Sequence, residues 1–524
     1  MKTWRIALAS MVIATALSVP AATAQITPLL VPKGRIRVDL LGQFQSWDHR
    51  FNDGTKEEAA GDFNRSVMDR RFVPGLGAAE DHLRKITGLN NLALSLGKST
   101  SSYLVNYGTT GFGGAFGLTR RITLHGMVPI IEVKIEPRFL IDSSGNATFN
   151  PASALAANPF AAGQTAQFLT QLAAALNALR TKLAAGDYHN DPALELLAQS
   201  TLARGEELRA ELAALLQAPD GYFAPRAASD AGRAVFQAIA DFRTELAALN
   251  ITSLNQQPAL SSSPFSADLF DTYLTSASGP IRSRPLTEVP SLSHLGDIEV
   301  GVSFGLVDHF PSARIGAGFR AVVDATVRLR TAKLDSPDRF MDLGTGDRQP
   351  DVDVSVVADY ASRRLGVRMS GGYNLQLPGN QNRRVSRYDA PIAPLNTLAA
   401  VQRDPGDVIR VSAQPFFRLA TYLSLFGSVD FWKRQRDTYS YVAGQPAIAG
   451  VDIDVLADGS ASDALMLAGG ISYSHTGFTK RGEMKLPMDA SIRYQRIARS
   501  KSGILPDASS VRIDLRFYGR VFGR

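Results

Sequence analysis

Residues 297–329 read "DIEVGVSFGLVDHFPSARIGAGFRAVVDATVRL". Ile298, Val300, Val302, Phe304 and Leu306 occupy every second position. After a proline-containing break the alternation resumes at Ile315, Ala317, Phe319, Ala321, Val323, Ala325, Val327 and Leu329. The opposite phase holds Asp297, Glu299, Gly301, Ser303, Gly316, Gly318, Arg320, Asp324, Thr326 and Arg328. Strict period two is the signature of β-strands with two unlike faces. One face here is apolar throughout and the other carries arginine and acid.

The same pattern recurs along the chain. Ile36, Val38, Leu40 and Phe44 alternate with Arg37, Asp39 and Gln43. Ile122, Leu124, Gly126 and Val128 share a face until the phase slips at Pro129, as a bulge would cause, and Ile131, Val133 and Ile135 continue it. Val352, Val354, Val356, Ala358 and Tyr360 form another face, as do Leu365, Val367, Met369, Tyr373, Leu375 and Leu377. Ile409, Val411, Ala413 and Phe417 oppose Arg410, Ser412, Gln414 and Arg418. Val511, Ile513, Leu515 and Phe517 oppose Arg512, Asp514 and Arg516. With further strands near 102–118, 421–435, 461–476 and 486–499, the count is about twelve, within the range of transmembrane barrels. Their linkers alternate between tight turns and long loops, which is the asymmetry such barrels show.

A strand with a wholly apolar face and a charged one suits a closed wall in lipid. There every backbone polar group must be paired, so only helices and closed barrels can span. Soluble strands average about five or six residues, and many of these run to twelve or more, which disfavours a soluble sandwich or propeller. Aromatics fall where interfacial girdles are expected. Tyr360, Phe417, Tyr473 and Phe517 lie near the short-turn ends, and Trp47, Tyr103, Tyr373, Phe431 and Tyr494 near the long-loop ends.

The chain opens "MKTWRIALASMVIATALSVPAATAQ". Lys2 and Arg5, the apolar run Ile6–Val19 and the small residues Ala22-Thr23-Ala24 read as an export leader, residues 1–24. No later run is apolar for about eighteen residues, so no membrane helix is expected. The chain has no cysteine, which removes thiol catalysis and thiolate metal sites. Its 56 Lys and Arg exceed its 49 Asp and Glu by only +7, two units of which lie in the leader, and an exported protein with so mild a surplus is not expected to bind nucleic acid.

Between about 161 and 250 the period becomes helical. Leu169, Leu172, Leu176, Leu179 and Leu183 step by threes and fours, Leu208, Leu212 and Leu215 do so after Pro192, and Val235, Ile239, Phe242, Leu246 and Leu249 do so after Asp230. Three packed amphipathic helices are expected, and strand parity places them on the long-loop, extracellular side. The expected organisation is a leader (1–24), three barrel strands (25–140), a helical insertion (141–294) that serves as surface decoration, lid or plug, and nine further strands (295–524).

"FGGAFGLTRRITLHGMVPII" and the later "LGDIEVGVSFGLVD" resemble the outer-membrane barrels of the phenol-pathway and fatty-acid-transporter type. The resemblance covers Phe112–Ile131 and Leu295–Asp308 and implies passage of small, including hydrophobic, molecules. Gln25–Gly34 is shorter than the N-terminal hatch of the fatty-acid transporters proper. The end of the chain, with Phe517 and Phe522, resembles the terminal strand that barrel-assembly machinery reads. The expected setting is the cell outer membrane, with lipid, lipopolysaccharide and that machinery as partners.

Chemistry-bearing motifs are few. "GVSFG" matches G-x-S-x-G, but a nucleophile elbow needs a strand–turn–helix context and Ser303 lies mid-strand. His125 is on the lumen phase, His475 on the lipid phase and His309 in a turn, with no motif joining serine to histidine. "GTTGFGGAFG" leads into a strand rather than the helix a dinucleotide fingerprint requires. Asp452, Asp454, Asp458 and Asp463 offer oxygen ligands of the kind Ca²⁺ takes, but the spacing is not that of an EF-hand. No catalytic residue, metal or cofactor is assigned, and an enzyme is not expected. The candidate functional residues are pore-lining: Arg320, Asp324, Arg328, Arg368, Arg410, Arg418, Arg493, Arg512, Asp514 and Arg516. Interleaved arginine and acid can plug a narrow barrel with ion pairs, or an arginine stripe can favour anions. Arg410, Arg418, Arg512 and Arg516 fall on the eighth and twelfth strands, which are not neighbours, so shared acids are not expected to neutralise them all. The expected function is passage of small solutes, restricted by the helical insertion. A barrel that displays the insertion and a membrane hydrolase are the competing classes.

Overall fold

The computed structural model describes residues 29–156, 158–218, 221–289, 291–310, 317–386, 391–475 and 487–520. The leader, Ile315 and Phe522 lie outside the described residues. Twelve long strands follow in chain order: β1 (Arg35–Trp47), β2 (Ser99–Gly117), β3 (Ile122–Ile141), β4 (Glu299–Asp308), β5 (Gly318–Arg328) and β6 (Asp351–Ala361). The second half comprises β7 (Leu365–Gln376), β8 (Val408–Arg418), β9 (Leu423–Arg434), β10 (Ser462–His475), β11 (Met488–Arg499) and β12 (Ser509–Arg520). Each pairs antiparallel with its chain neighbours. β1 pairs with β12 from Arg35↔Arg520 to Ser46↔Ser509 and closes the ring. A closed ladder leaves no strand edge unpaired, which is the condition for a sheet in lipid. This is an all-β membrane barrel of twelve strands.

Alternation sorts the side chains. Val327, Val356, Met369, Val411, Val429, Ile492 and Ile513 are exposed on the outside, while Arg320, Arg328, Asp353, Arg368, Asp430, Arg493 and Asp514 are buried within. Tyr360, Phe417, Tyr473, Phe517, Tyr373, Phe431 and Tyr494 face outward in two bands. Trp47 and Tyr103 depart from the expected girdle. Trp47 is buried and Tyr103 packs beside it, because both lie where the wall continues into the loops and turns its apolar residues inward.

The wall makes a sharp prediction at β5. Val323→Arg, at the middle of β5, places a cation on the lipid face at a cost of about 2–4 kcal/mol near the midplane, so assembly into liposomes should fall steeply. Thr326→Arg, on the lumen face of the same strand, should assemble. Equal yields of the two would contradict the assignment of faces.

β2 and β3 are longer than their neighbours, at 19 and 20 residues. At about 3.3 Å per residue they exceed twice the hydrocarbon thickness of about 30 Å. Their far halves therefore stand above the wall, and Phe139 joins the core of a helical layer there. That layer consists of α1 (Leu76–Thr87), α2 (Pro159–Ala185), α3 (Pro192–Gln217), α4 (Asp230–Ala248) and α5 (Ala267–Thr275). Asn158, Asp191, Ser229 and Ser266 cap the last four by accepting backbone N–H bonds with their side chains, satisfying donors a helix start leaves free. Phe72, Leu83, Phe168, Leu172, Leu212, Phe242 and Phe270 are fully buried in one shared core. α1 belongs to the loop between β1 and β2, not to the insertion, yet it packs on α3 and α4 and bonds α3 through His82–Glu211 at 2.6 Å and Lys85–Glu211 at 2.8 Å.

Candidate functional site

The lumen holds a cavity of about 270 Å³ on the side formed by β12 and β1–β6. Its wall is mixed: Gln43, Thr109, His125, Ser303, Asp324, Thr326, Arg328, Arg512, Asp514 and Arg516 supply polar groups, and Leu29, Tyr107, Met127, Pro129, Ile131 and Val357 are among the residues that supply at least as much apolar surface. Both ends of this space are narrowed. At the short-turn end Leu30 and Val31 are buried, and the Val31 N–H donates to Thr123 Oγ1 at 2.8 Å. At the long-loop end the 329–350 connection folds inward. Leu343 packs with Trp47, Tyr107, Ile131 and Ile135, and Thr345 and Gly346 line the cavity.

Backbone bonds fasten that inward fold. Thr345 N–H donates to Lys333 O at 2.8 Å, and Thr345 Oγ1 donates to Leu295 O at 2.8 Å. Asp297, buried just ahead of β4, accepts from the N–H groups of Thr331 at 3.0 Å and Ala332 at 2.9 Å. Burial, reinforced by the neighbouring charge of Asp347, pushes the Asp297 carboxyl up to about 7. A carboxyl raised in the folded state contributes stability that is complete below its ordinary value near 4 and lost as pH rises through about 7, because ionisation is then favoured in the open form. Amide exchange in residues 331–347, corrected for intrinsic rates, should therefore accelerate as pH rises from about 4 to about 7 and level off above that. Asp297→Asn keeps the acceptor without the titration and should abolish the acceleration. The same pH slope in both proteins would refute the role.

Ion pairs, most of them set up by register, line the cavity and fill the rest of the lumen. Arg320, Asp359 and Arg368 lie directly opposite one another on β5, β6 and β7. Asp359 joins both arginines, with Arg368 Nε at 2.6 Å. Arg328 faces Asp351 at 2.7 Å, and Arg516 faces Asp39 at 3.5 Å. Arg512 pairs with Asp514 on its own strand at 2.9 Å, and Arg493 on β11 reaches over β10 to Asp430 on β9 at 2.6 Å.

Two further contacts also cross an intervening strand, and each does so past a glycine. Arg410 on β8 reaches Asp353 on β6 at 2.5 Å past Gly372, where a Cβ would stand 3.2 Å from the guanidinium. His125 on β3 reaches Asp324 on β5 at 3.0 Å past Gly301, where a Cβ would lie 2.4 Å from the imidazole.

Solved structures offer a likeness in architecture. The fold is similar to an outer-membrane channel from Pseudomonas putida F1 (9% identity, TM-score 0.41, covering 95% of this chain and 100% of that one). It is similar also to the Pseudomonas putida toluene transporter TodX (8% identity, TM-score 0.25, 99% and 96% covered) and to the transport unit of the autotransporter AIDA-I from Escherichia coli (7% identity, TM-score 0.31, 96% of each chain). With TM-scores this low the likeness adds no weight to the barrel, which stands on its own closed ladder. No protein-family model matches the chain, and no curated protein matches it.

Among the residues singled out from sequence, Asp324, Arg328, Arg512, Asp514 and Arg516 line the cavity. Arg320, Arg368, Arg410 and Arg493 are held in ion pairs elsewhere in the lumen. Arg418 sits at the short-turn end and donates to the carbonyl oxygens of Ser362 at 3.1 Å and Arg363 at 3.3 Å. The argument for an uncompensated arginine stripe is therefore corrected. Strand separation does not leave Arg410, Arg512 and Arg516 without acids, because each finds one on its own strand, on a neighbour, or across a glycine.

The hydrolase alternative meets a geometric obstacle. Ser303 donates to Asp324 Oδ1 at 2.5 Å, and His125 Nε2 contacts that same oxygen. Nucleophilic serine needs the imidazole as its base; here the carboxylate stands between them. Among the described residues no group of three or more histidines and acids is placed to hold a metal. Asp452 caps a short turn and Asp458 pairs with Arg436 at 3.3 Å instead.

The loop contacts escaped sequence reasoning. Arg384 donates to Ile281 O at 2.8 Å, Ala393 O at 2.7 Å and Pro337 O at 3.0 Å. It thereby ties the end of the insertion to two other long loops. Arg50, fully buried, holds Asp62 through two bonds at 2.7 and 2.8 Å. Its loop then reaches across to Arg339, Phe340 and Tyr439 around a smaller pocket of about 80 Å³.

Proposed function

We propose that the protein is an outer-membrane channel or transporter for small solutes, held here in a closed form by its own loops. The observation that carries this reading is the lumen cavity, a space of about 270 Å³ with a mixed polar and apolar lining, inside a closed wall and narrowed at both ends. Larger barrels hold channels and small ones are filled by side chains; this lumen is filled on one side and open on the other. Paired charges, hydroxyls and the amides of Gln43 and Gln45 beside an apolar strip suit a neutral or zwitterionic solute with an apolar part, since no net field of either sign is set up there. The long loops face the cell exterior in this proposal, and insertion proceeds through the barrel-assembly machinery.

The covering element is the inward-folded connection 329–350, with the helical layer packed above it. Single-channel recording in planar bilayers tests the proposal. The full chain should conduct little, and a variant lacking the inward fold should conduct with weak ion preference. A second reading, a barrel that displays its helical layer, is favoured by the separate, extensive core of that layer. An electrically silent loop variant would support it over the channel.

A further inference from the structure

The outward wall of the barrel is poor in cations. Among the described strand residues, lysine or arginine takes an outward position at Lys134 and Arg138 on β3, beside Glu132 and Glu136, and otherwise at Lys433, Arg496 and Arg499. These last three flank β10 at its long-loop end. Lys433 on β9 is registered with Asp463, while Arg499 and Arg496 on β11 are registered with Leu465 and Leu467. Strands separated by one neighbour are about 10 Å apart, within reach of two long basic side chains extended over β10.

A second observation concerns how the arginines come to share that face. Positions three apart on a regular strand point to opposite sides. An irregularity beside Leu465 and Met466 inserts Ala498 as an extra residue and turns both Arg496 and Arg499 outward. Bulges of this kind re-aim side chains. All three cations are exposed. Their side chains make no hydrogen bond or ion pair among the described residues, and the nearby acid, Asp463, accepts from Ser502 Oγ at 2.5 Å. Towards the midplane the same face continues as Leu467, Tyr494 and Ile492. Cations on a lipid face are costly unless they reach the interface and meet an anion.

We propose that Lys433, Arg496 and Arg499 form a binding site for the phosphorylated glycolipid of the outer leaflet, the lipid A portion of lipopolysaccharide. The cations take its phosphates through charge-assisted hydrogen bonds, and the apolar wall below takes its acyl chains. The site rests on the reading that the long loops face outward, since that leaflet lies on their side.

The test compares the full chain with Lys433→Ser/Arg496→Ser/Arg499→Ser, both extracted from outer membranes in mild detergent. Lipid A retained per barrel should fall by at least about tenfold once three charge-assisted contacts are gone, while Lys134→Ser/Arg138→Ser retains it. Added lipid A should raise the unfolding temperature of the parent and not of the triple variant; dephosphorylated lipid A and inorganic phosphate should do neither. Equal retention by parent and triple variant overturns the site. An equal response to dephosphorylated lipid reduces it to an apolar wall, and a response to inorganic phosphate reduces it to a free-anion site. Should the triple variant fail to fold, Arg499→Gln alone should lower retention, and unchanged retention there overturns the proposal. Heat-modifiable gel mobility of each variant reports the barrel independently, so a lost site with an intact barrel is distinguishable from failure of the membrane reading.

Discussion

Excision of residues 335–343 should convert a nearly silent barrel into one with several-fold higher conductance. The ends of the cut already touch: Thr345 N–H bonds Lys333 O at 2.8 Å, and a Cβ on Gly344 would lie 2.9 Å from the carbonyl carbon of Leu334. Joining Leu334 to Gly344 therefore asks little of the backbone, and surface connections tolerate such changes better than wall strands do. The cut removes Phe340, Met341 and Leu343, which link the mouth of the lumen to the helical layer and to the apolar rim around Trp47. Thr345, Gly346 and the Asp297 bonds remain, while Arg383 loses Asp335 and Arg384 loses Pro337 O and Asp338 but keeps Ile281 O and Ala393 O. Reversal potentials in a salt gradient should stay near zero, because Arg410, Arg512 and Arg516 are paired with acids. Strong anion selectivity would reinstate an arginine stripe. Unchanged silence would remove the channel and favour display.

Asp359→Ala should be the most damaging single change in the lumen. It leaves Arg320 and Arg368 buried with their shared carboxylate gone; their exposures are 5% and 4%. Breaking a buried pair from one side costs about 3–5 kcal/mol, because an uncompensated charge stays behind. Urea titration of the protein in detergent micelles should show that loss. The triple change Asp359→Leu/Arg320→Met/Arg368→Met replaces the whole group by apolar volume and should recover most of the stability, as such replacements often do. If the triple variant is no better than Asp359→Ala, the damage lies in packing and not in charge.

The wall was legible in the sequence because period two with one apolar face is a strong, repeated signal, and twelve strands stand where the alternation places them; the bulge expected at Pro129 is absent, since the β2–β3 ladder runs through it without a shift, and Ile131, Val133 and Ile135 face inward to pack beneath the loops instead of continuing the outer face. α2, α3 and α4 were legible for the same reason, with Pro192 marking the start of α3; the cap expected at Asp230 is Ser229, one residue earlier, and Asp230 is the first residue of α4. α1 was not, since it is short and begins at Gly75 with no side chain capping it. The lumen face of each arginine could be read from its phase, but its partner could not. Alternation says which way Arg410 points and nothing about a passage over Gly372 to Asp353. Glycine at lumen positions flanked by arginine and acid on adjacent strands is the signal that was available and unused. The inward fold of 341–347 has no periodicity to betray it; what holds it is a set of backbone bonds and one carboxyl.

The row Arg320–Asp359–Arg368 bears on how the chain finds its register. Sliding a strand by one residue would turn its apolar set into the lumen and is forbidden outright. Sliding it by two keeps every apolar side chain in lipid, so the hydrophobic pattern cannot detect the error. In that misalignment Arg320 would face Val357 or Ala361, and Asp359 would face Val322 or Gly318, burying charges opposite carbon. The lumen pairs thus act as an error check during assembly, rejecting the one class of mistake to which an alternating sequence is blind.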